Sequence, residues 1–211
     1  LLSTDSVSQL NTIINGFSNL SDHHPVMHTL FVAIPYYIGF GLSNSIETGV
    51  AFSSFTQMVC LSLTFAYLIK FLYERNVNKL ALTAIVLFYA FLPVFGYYSI
   101  TMWKDVMFGG FLLLLTIETV KLIDKKDEDN LSFEELFKFT LISLICVFFR
   151  NNAIYMYMVL ALATFWLPKK FWKKIFACML FVFVFYFVIK GPIFDALNIK
   201  KSASAEYIGM P

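Results

Sequence analysis

Apolar runs of bilayer-spanning length, repeated from residue 49 to residue 189, leave this chain few choices of fold. In hydrocarbon every backbone N–H and C=O must be satisfied within the protein, which restricts spanning structure to helices or closed barrels. A spanning helix needs about 20 mainly apolar residues. The runs 49–73, 79–99, 106–123, 136–149, 153–167 and 171–189 read as membrane helices. Pro93 and Gly96 bend the far end of the second, and 136–149 with 153–167 forms a hairpin of short arms. Charged residues make up 14% of the chain, whereas soluble domains carry about a quarter. The expected fold is all-α: a polytopic transmembrane helical bundle forming a single transmembrane domain over 1–211.

Flanking regions are more polar. Residues 1–24 are rich in Ser, Asn, Thr and Asp, with Val7, Leu10, Ile13, Ile14 and Phe17 at helical spacing. That pattern predicts an external amphipathic segment lying at the interface. Residues 26–42 read as a short or re-entrant helix interrupted near Pro35, and 190–211 as an external tail. The chain opens on Leu-Leu and closes without a terminal signal, so a fragment of a longer protein is expected. Cys60, Cys146 and Cys178 lie far apart inside apolar runs and read as small buried hydrophobes.

Basic residues set the orientation. With alternate loops taken as one side, eleven of the sixteen Lys and Arg fall together, and Lys104, Arg150, Lys190, Lys200 and Lys201 fall opposite. The larger group marks the cytoplasm. The remaining polar clusters then share the outer face of a cell membrane. Nothing in the sequence points to nucleic acid.

Four clusters carry possible chemistry. Asp22-His23-His24-Pro25, with His28 behind, gathers all three histidines. Pro25 suits a first helical position, which sets His24 at the cap and His28 one turn on. Asp22, His23, His24 and His28 are donors to which a divalent metal is one fit; capping and hydrogen bonding are the plainer one. Asp5, in Ser3-Thr4-Asp5-Ser6, either caps the interfacial helix or takes a proton from an acceptor hydroxyl. Trp103-Lys104-Asp105 is either an interfacial anchor with Asp105 capping the next helix, or part of a site. Arg150-Asn151-Asn152 stands at the tip of the short hairpin. A cation drawn toward the membrane is normally paired or faces a cavity, and phosphate suits a guanidinium.

Taken in order, Asp5-Ser6, Ser8-Gln9, Asp22-His23-His24-Pro25-Val26-Met27-His28-Thr29, Trp103-Lys104-Asp105 and Arg150-Asn151-Asn152 resemble an uncharacterised family of bacterial multi-pass membrane proteins. That family looks like the GT-C glycosyltransferases, the class of protein O-mannosyltransferases and lipid A aminoarabinose transferases. The resemblance implies a GT-C-like fold and transfer of a sugar from a polyprenyl-phosphate-linked donor to an acceptor on the outer face. It implies catalytic roles for Asp5 and Asp105, with His24, His28, Lys104, Arg150 and Asn151 binding substrate. A membrane transporter and a non-enzymatic membrane scaffold are the alternatives. A transporter predicts broken helices and ionisable residues at membrane depth.

Overall fold

Lipid forces the backbone to bond with itself, and the chain answers with helix throughout. The computed structural model describes residues 4–18, 20–125 and 130–200. The part of the expected external tail beyond residue 200 lies outside them. The structure is 82% helix, and among the described residues the only extended pairing is an isolated parallel bridge between Ser21 and Lys200. Among the described residues, four helical stretches are long and apolar enough to cross a membrane: Val26–Ser43, Ile46–Glu74, Lys104–Ile123 and Lys169–Ala196. A bent pair makes a fifth if it counts as one span. The helices group into two compact units, one from residues 1–18 and 28–113, the other from 19–27 and 114–211.

In the first unit, α1 (Thr4–Ile14) buries Ser6, Gln9, Leu10 and Ile13 along one stripe and exposes Asp5 and Val7. Spacing of three and four residues puts this stripe on one face. Leu10 and Ile13 join Val32, Ala33, Tyr36 and Met102 in one apolar cluster. Gly16 and Phe17, both in the left-handed region at φ +62°, end the helix. Next comes α2 (Val26–Ser43), which runs through a buried Pro35. Its partner α3 (Ile46–Glu74) begins at Ser45, whose hydroxyl accepts from Thr48 N at 3.4 Å.

Two glycines let α2 and α3 approach. A Cβ on Gly39 would stand 2.7 Å from the Thr48 carbonyl, and one on Gly49 would stand 2.6 Å from the Tyr36 ring. Small residues at such crossings replace the hydrophobic drive that lipid removes.

The run after α3 breaks in two. α4 (Lys79–Phe91) and α5 (Pro93–Ile100) meet at 58°. Pro93 has no N–H for the ladder and pushes Leu92 to an extended conformation at φ −75°, ψ 113°. α5 then ends early, and side chains of α3 take its last carbonyls. Gln57 Nε2 lies 3.1, 2.9 and 2.8 Å from the carbonyl oxygens of Tyr98, Ser99 and Thr101, and Ser54 Oγ donates to Ile100 O at 3.1 Å. An amide group has only two hydrogens, so Gln57 shares them among three acceptors. α6 (Lys104–Ile123) follows, its residues divided between the two units.

The second unit holds α7 (Phe133–Phe149), opened by a capping box of Ser132 and Glu135. After the turn Arg150-Asn151-Asn152, α8 (Ala153–Leu160) tightens into 3₁₀ helix over Ala161–Trp166. One turn at Lys169–Phe171 leads into α9 (Trp172–Val188). α9 buries Ile175, Met179, Val182 and Tyr186, a single helical stripe, and packs on α7. A π-helical turn over Ile189–Ile193, with Gly191 at φ −93°, ψ −105°, then passes into the short α10 (Phe194–Ala196). The apolar pattern predicts an external tail over 190–211. Instead Lys190 is inside this unit, because its charge has a buried partner, and the chain returns so that Asp22 N donates to Lys200 O at 2.8 Å.

Candidate functional site

Each unit has its own polar centre. In the first, the buried stripe of α1 carries Ser6 and Gln9 against apolar neighbours, where an unsatisfied polar group would be costly. Ser6 Oγ donates to the Met102 carbonyl. Gln9 Nε2 donates to Thr29 Oγ1 at 2.9 Å and lies 2.9 Å from His28 Nδ1. An amide N–H facing Nδ1 makes that nitrogen the acceptor, which assigns the neutral-ring proton to Nε2. His28 is 1% exposed, so it serves inside the unit rather than at the surface.

The Ser6–Met102 bond places the first turn of α1 beside the start of α6. One residue before Ser6 is Asp5, exposed in the first turn of α1. Two residues after Met102 is Lys104, followed by Asp105, both half-buried in the first turn of α6. Asp105 there favours the positive end of the helix dipole. This contact, between residues 96 apart in sequence, joins the residue after Asp5 to the residue two before Lys104 and three before Asp105. Tyr98 stacks on Trp103 with ring centroids 6.1 Å apart, holding the approach to α6.

The second unit's centre is an ion pair. Both carboxylate oxygens of Asp22 accept from Lys190 Nζ, with side chains 1% and 11% exposed. Lys190 also donates to Asn151 Oδ1 at 2.7 Å, and Asn151 Nδ2 donates to the Asp22 carbonyl at 2.7 Å. Tyr186 OH donates to Asn151 O at 3.3 Å. The ammonium group lies 5.2 Å from the Phe194 ring and 5.9 Å from the Tyr186 ring. Asn151 therefore works as a brace between the Lys190 ammonium and the backbone of Asp22. Arg150 closes α7 in an extended conformation and is half-buried. His24 is buried, and His23 meets it edge-on at 4.6 Å.

The four metal candidates divide accordingly. His28 belongs to the first unit and Asp22, His23 and His24 to the second. Among the described residues no three His, Cys, Asp or Glu side chains gather as a metal-holding group. Asp22 is engaged by an ammonium ion instead. Sequence reasoning gave no role to Ser6, Gln9, Gln57, Tyr186 or Lys190. Gln57 had a visible signal, a lone amide in a long apolar run, whereas Lys190 followed its run as an ordinary helix end would.

Spans of this length, a broken helix pair and polar centres buried within apolar helices define a polytopic α-helical membrane protein. Within that class, the chain belongs to the family of unknown function DUF6020, whose model matches residues 15–211. No curated protein and no solved structure matches it.

Proposed function

We propose that this chain is part of a membrane glycosyltransferase that moves a sugar from a polyprenyl-phosphate-linked donor to an acceptor hydroxyl on the outer face of the cytoplasmic membrane. The observation that carries the reading is the Ser6–Met102 bond, which ties the residue after Asp5 to the carbonyl two residues before Lys104. Asp5 takes the acceptor proton as the hydroxyl oxygen attacks the anomeric carbon. The bond from that carbon to the phosphate oxygen breaks, and Lys104 steadies the charge on the departing lipid phosphate. Asp22 is unsuited to the base role, because both its oxygens are occupied by Lys190. Asp105, half-buried at the start of α6, holds that helix and its neighbour Lys104 in place.

The GT-C-like motif order and the one-sided distribution of Lys and Arg support the same reading. The test is transfer from a radiolabelled polyprenyl-phosphate sugar by the full-length protein in proteoliposomes. Loss of transfer in Asp5→Asn and in Lys104→Met supports the proposal, and undiminished transfer in both overturns it.

A second reading has its own observation. The 58° break between α4 and α5 and a lysine, Lys190, held within a spanning segment by Asp22 are features that transporters use at substrate paths. Glu118, a buried acid toward the end of a span, is paired with Lys121 at 3.4 Å. Accumulation of labelled sugar or ion inside the same vesicles, without transfer, would favour transport.

A further inference from the structure

The second unit carries an apolar groove along α9 that nothing in the proposed reaction uses. Its larger part, about 520 Å³, is bounded by Phe165, Trp172, Lys173 and Phe176. A smaller part of about 230 Å³ continues past Phe176 and Met179 to Phe183. The two share Ala161, Phe176 and Met179, so they form one channel between α9 and the 3₁₀ stretch before it. From Lys173 to Phe183 the helix rises about 15 Å. That is half of a hydrocarbon core of about 30 Å, the depth of one leaflet.

Charge marks one end of this groove. Lys169, Lys170, Lys173 and Lys174 are all exposed there. No Asp or Glu occurs in the sequence between Glu135 and Asp195, so no acid lies near them along the chain. Trp172 is anchored beside them, its Nε1 donating to Leu167 O at 2.9 Å, and Trp166 is exposed close by in sequence. Basic side chains with tryptophans at the mouth of a leaflet-deep apolar channel match an anionic phospholipid: phosphate outside, acyl chain within.

We propose that this groove is a binding site for an anionic phospholipid, with its headgroup phosphate on Lys173 and Lys169 and one acyl chain along Phe176, Met179 and Phe183. The site is independent of the glycosyltransferase reading, since it needs neither Asp5 nor Lys104.

Trp172 is the natural reporter. With every other tryptophan of the protein, Trp103 and Trp166 among them, changed to Phe, it is reconstituted in phosphatidylcholine vesicles containing an equal minor fraction of brominated phosphatidylglycerol or brominated phosphatidylcholine. The expected result is markedly stronger quenching by the brominated phosphatidylglycerol. Each lysine near the surface contributes a factor of about fivefold to that preference. Lys173→Gln with Lys169→Gln should remove most of it, Lys173→Arg should retain it, and excess inorganic phosphate at matched ionic strength should leave it intact. Equal quenching by the two lipids overturns the proposal. So does a preference that survives the double Gln variant, or one that free phosphate abolishes.

Discussion

Removing the carboxylate of Asp22 tests the ion pair most sharply. In Asp22→Asn the carboxylate goes and Lys190 is left as a buried ammonium. Taking one member from a buried ion pair costs about 3–5 kcal/mol. The lower end applies here, because Lys190 keeps its bond to Asn151 at 2.7 Å and the faces of Phe194 and Tyr186. The expected loss is about 3 kcal/mol, with a similar loss for Lys190→Met, which strands the carboxylate. Replacing both charges at once exchanges an ion pair for a neutral pair, and such exchanges are often neutral. Asp22→Asn with Lys190→Met should therefore lose less than about 1 kcal/mol, a coupling far outside simple additivity. Equilibrium unfolding in mixed micelles, followed by far-ultraviolet circular dichroism, measures all four proteins. Single changes that each cost under about 1 kcal/mol and simply add would refute the buried-pair reasoning.

Other perturbations have equally definite expectations. Gly39→Val should cost about 1–3 kcal/mol by forcing α2 from α3, while Gly41→Ala, with open space around its added carbon, should change stability little in the same unfolding assay. Gln57→Leu takes the side-chain donor from the Ser99 carbonyl, whereas Tyr98 O and Thr101 O keep the backbone donors Thr101 N and Trp103 N; it should cost roughly 1–3 kcal/mol and speed amide exchange at residues 98–101 more than elsewhere. Ser132→Ala removes the capping hydroxyl of α7 and should cost about 1 kcal/mol by thermal melting. At Glu135 burial acts to raise the carboxyl, but hydrogen bonds from Lys125 and Ser132 together with the Lys125 charge outweigh it and hold it below its usual value. A lowered carboxyl contributes stability above its unfolded value and loses it as pH falls through the folded one. Acid titration of stability should therefore flatten in Glu135→Gln.

Which features could be read from the sequence follows from how far their causes reach. The membrane helices rest on local apolarity, and the break at Pro93 rests on the local chemistry of proline, so both are visible in the residues themselves. The capping box at Ser132 spans three residues. By contrast, the carbonyls that Gln57 satisfies lie more than 40 residues away, and Asp22 finds Lys190 across 168. No periodicity records such pairings. Lys190 shows the difficulty best: a lysine after an apolar run reads as a helix emerging into water, and its pairing with Asp22 is what keeps it inside. Of the candidate residues, Asp5, Lys104 and Asp105 were visible by type and position. The contact between their segments was not, because it depends on Ser6 reaching the carbonyl of Met102.

The division of roles between the two N-terminal acids is the point on which the functional reading turns. Sugar transfer from a polyprenyl-phosphate donor, measured side by side in Asp5→Asn and in the Asp22→Asn, Lys190→Met double variant, tests it directly. Transfer abolished in the first and substantially kept in the second is the expected result. Transfer retained in Asp5→Asn, with the protein folded, would contradict it.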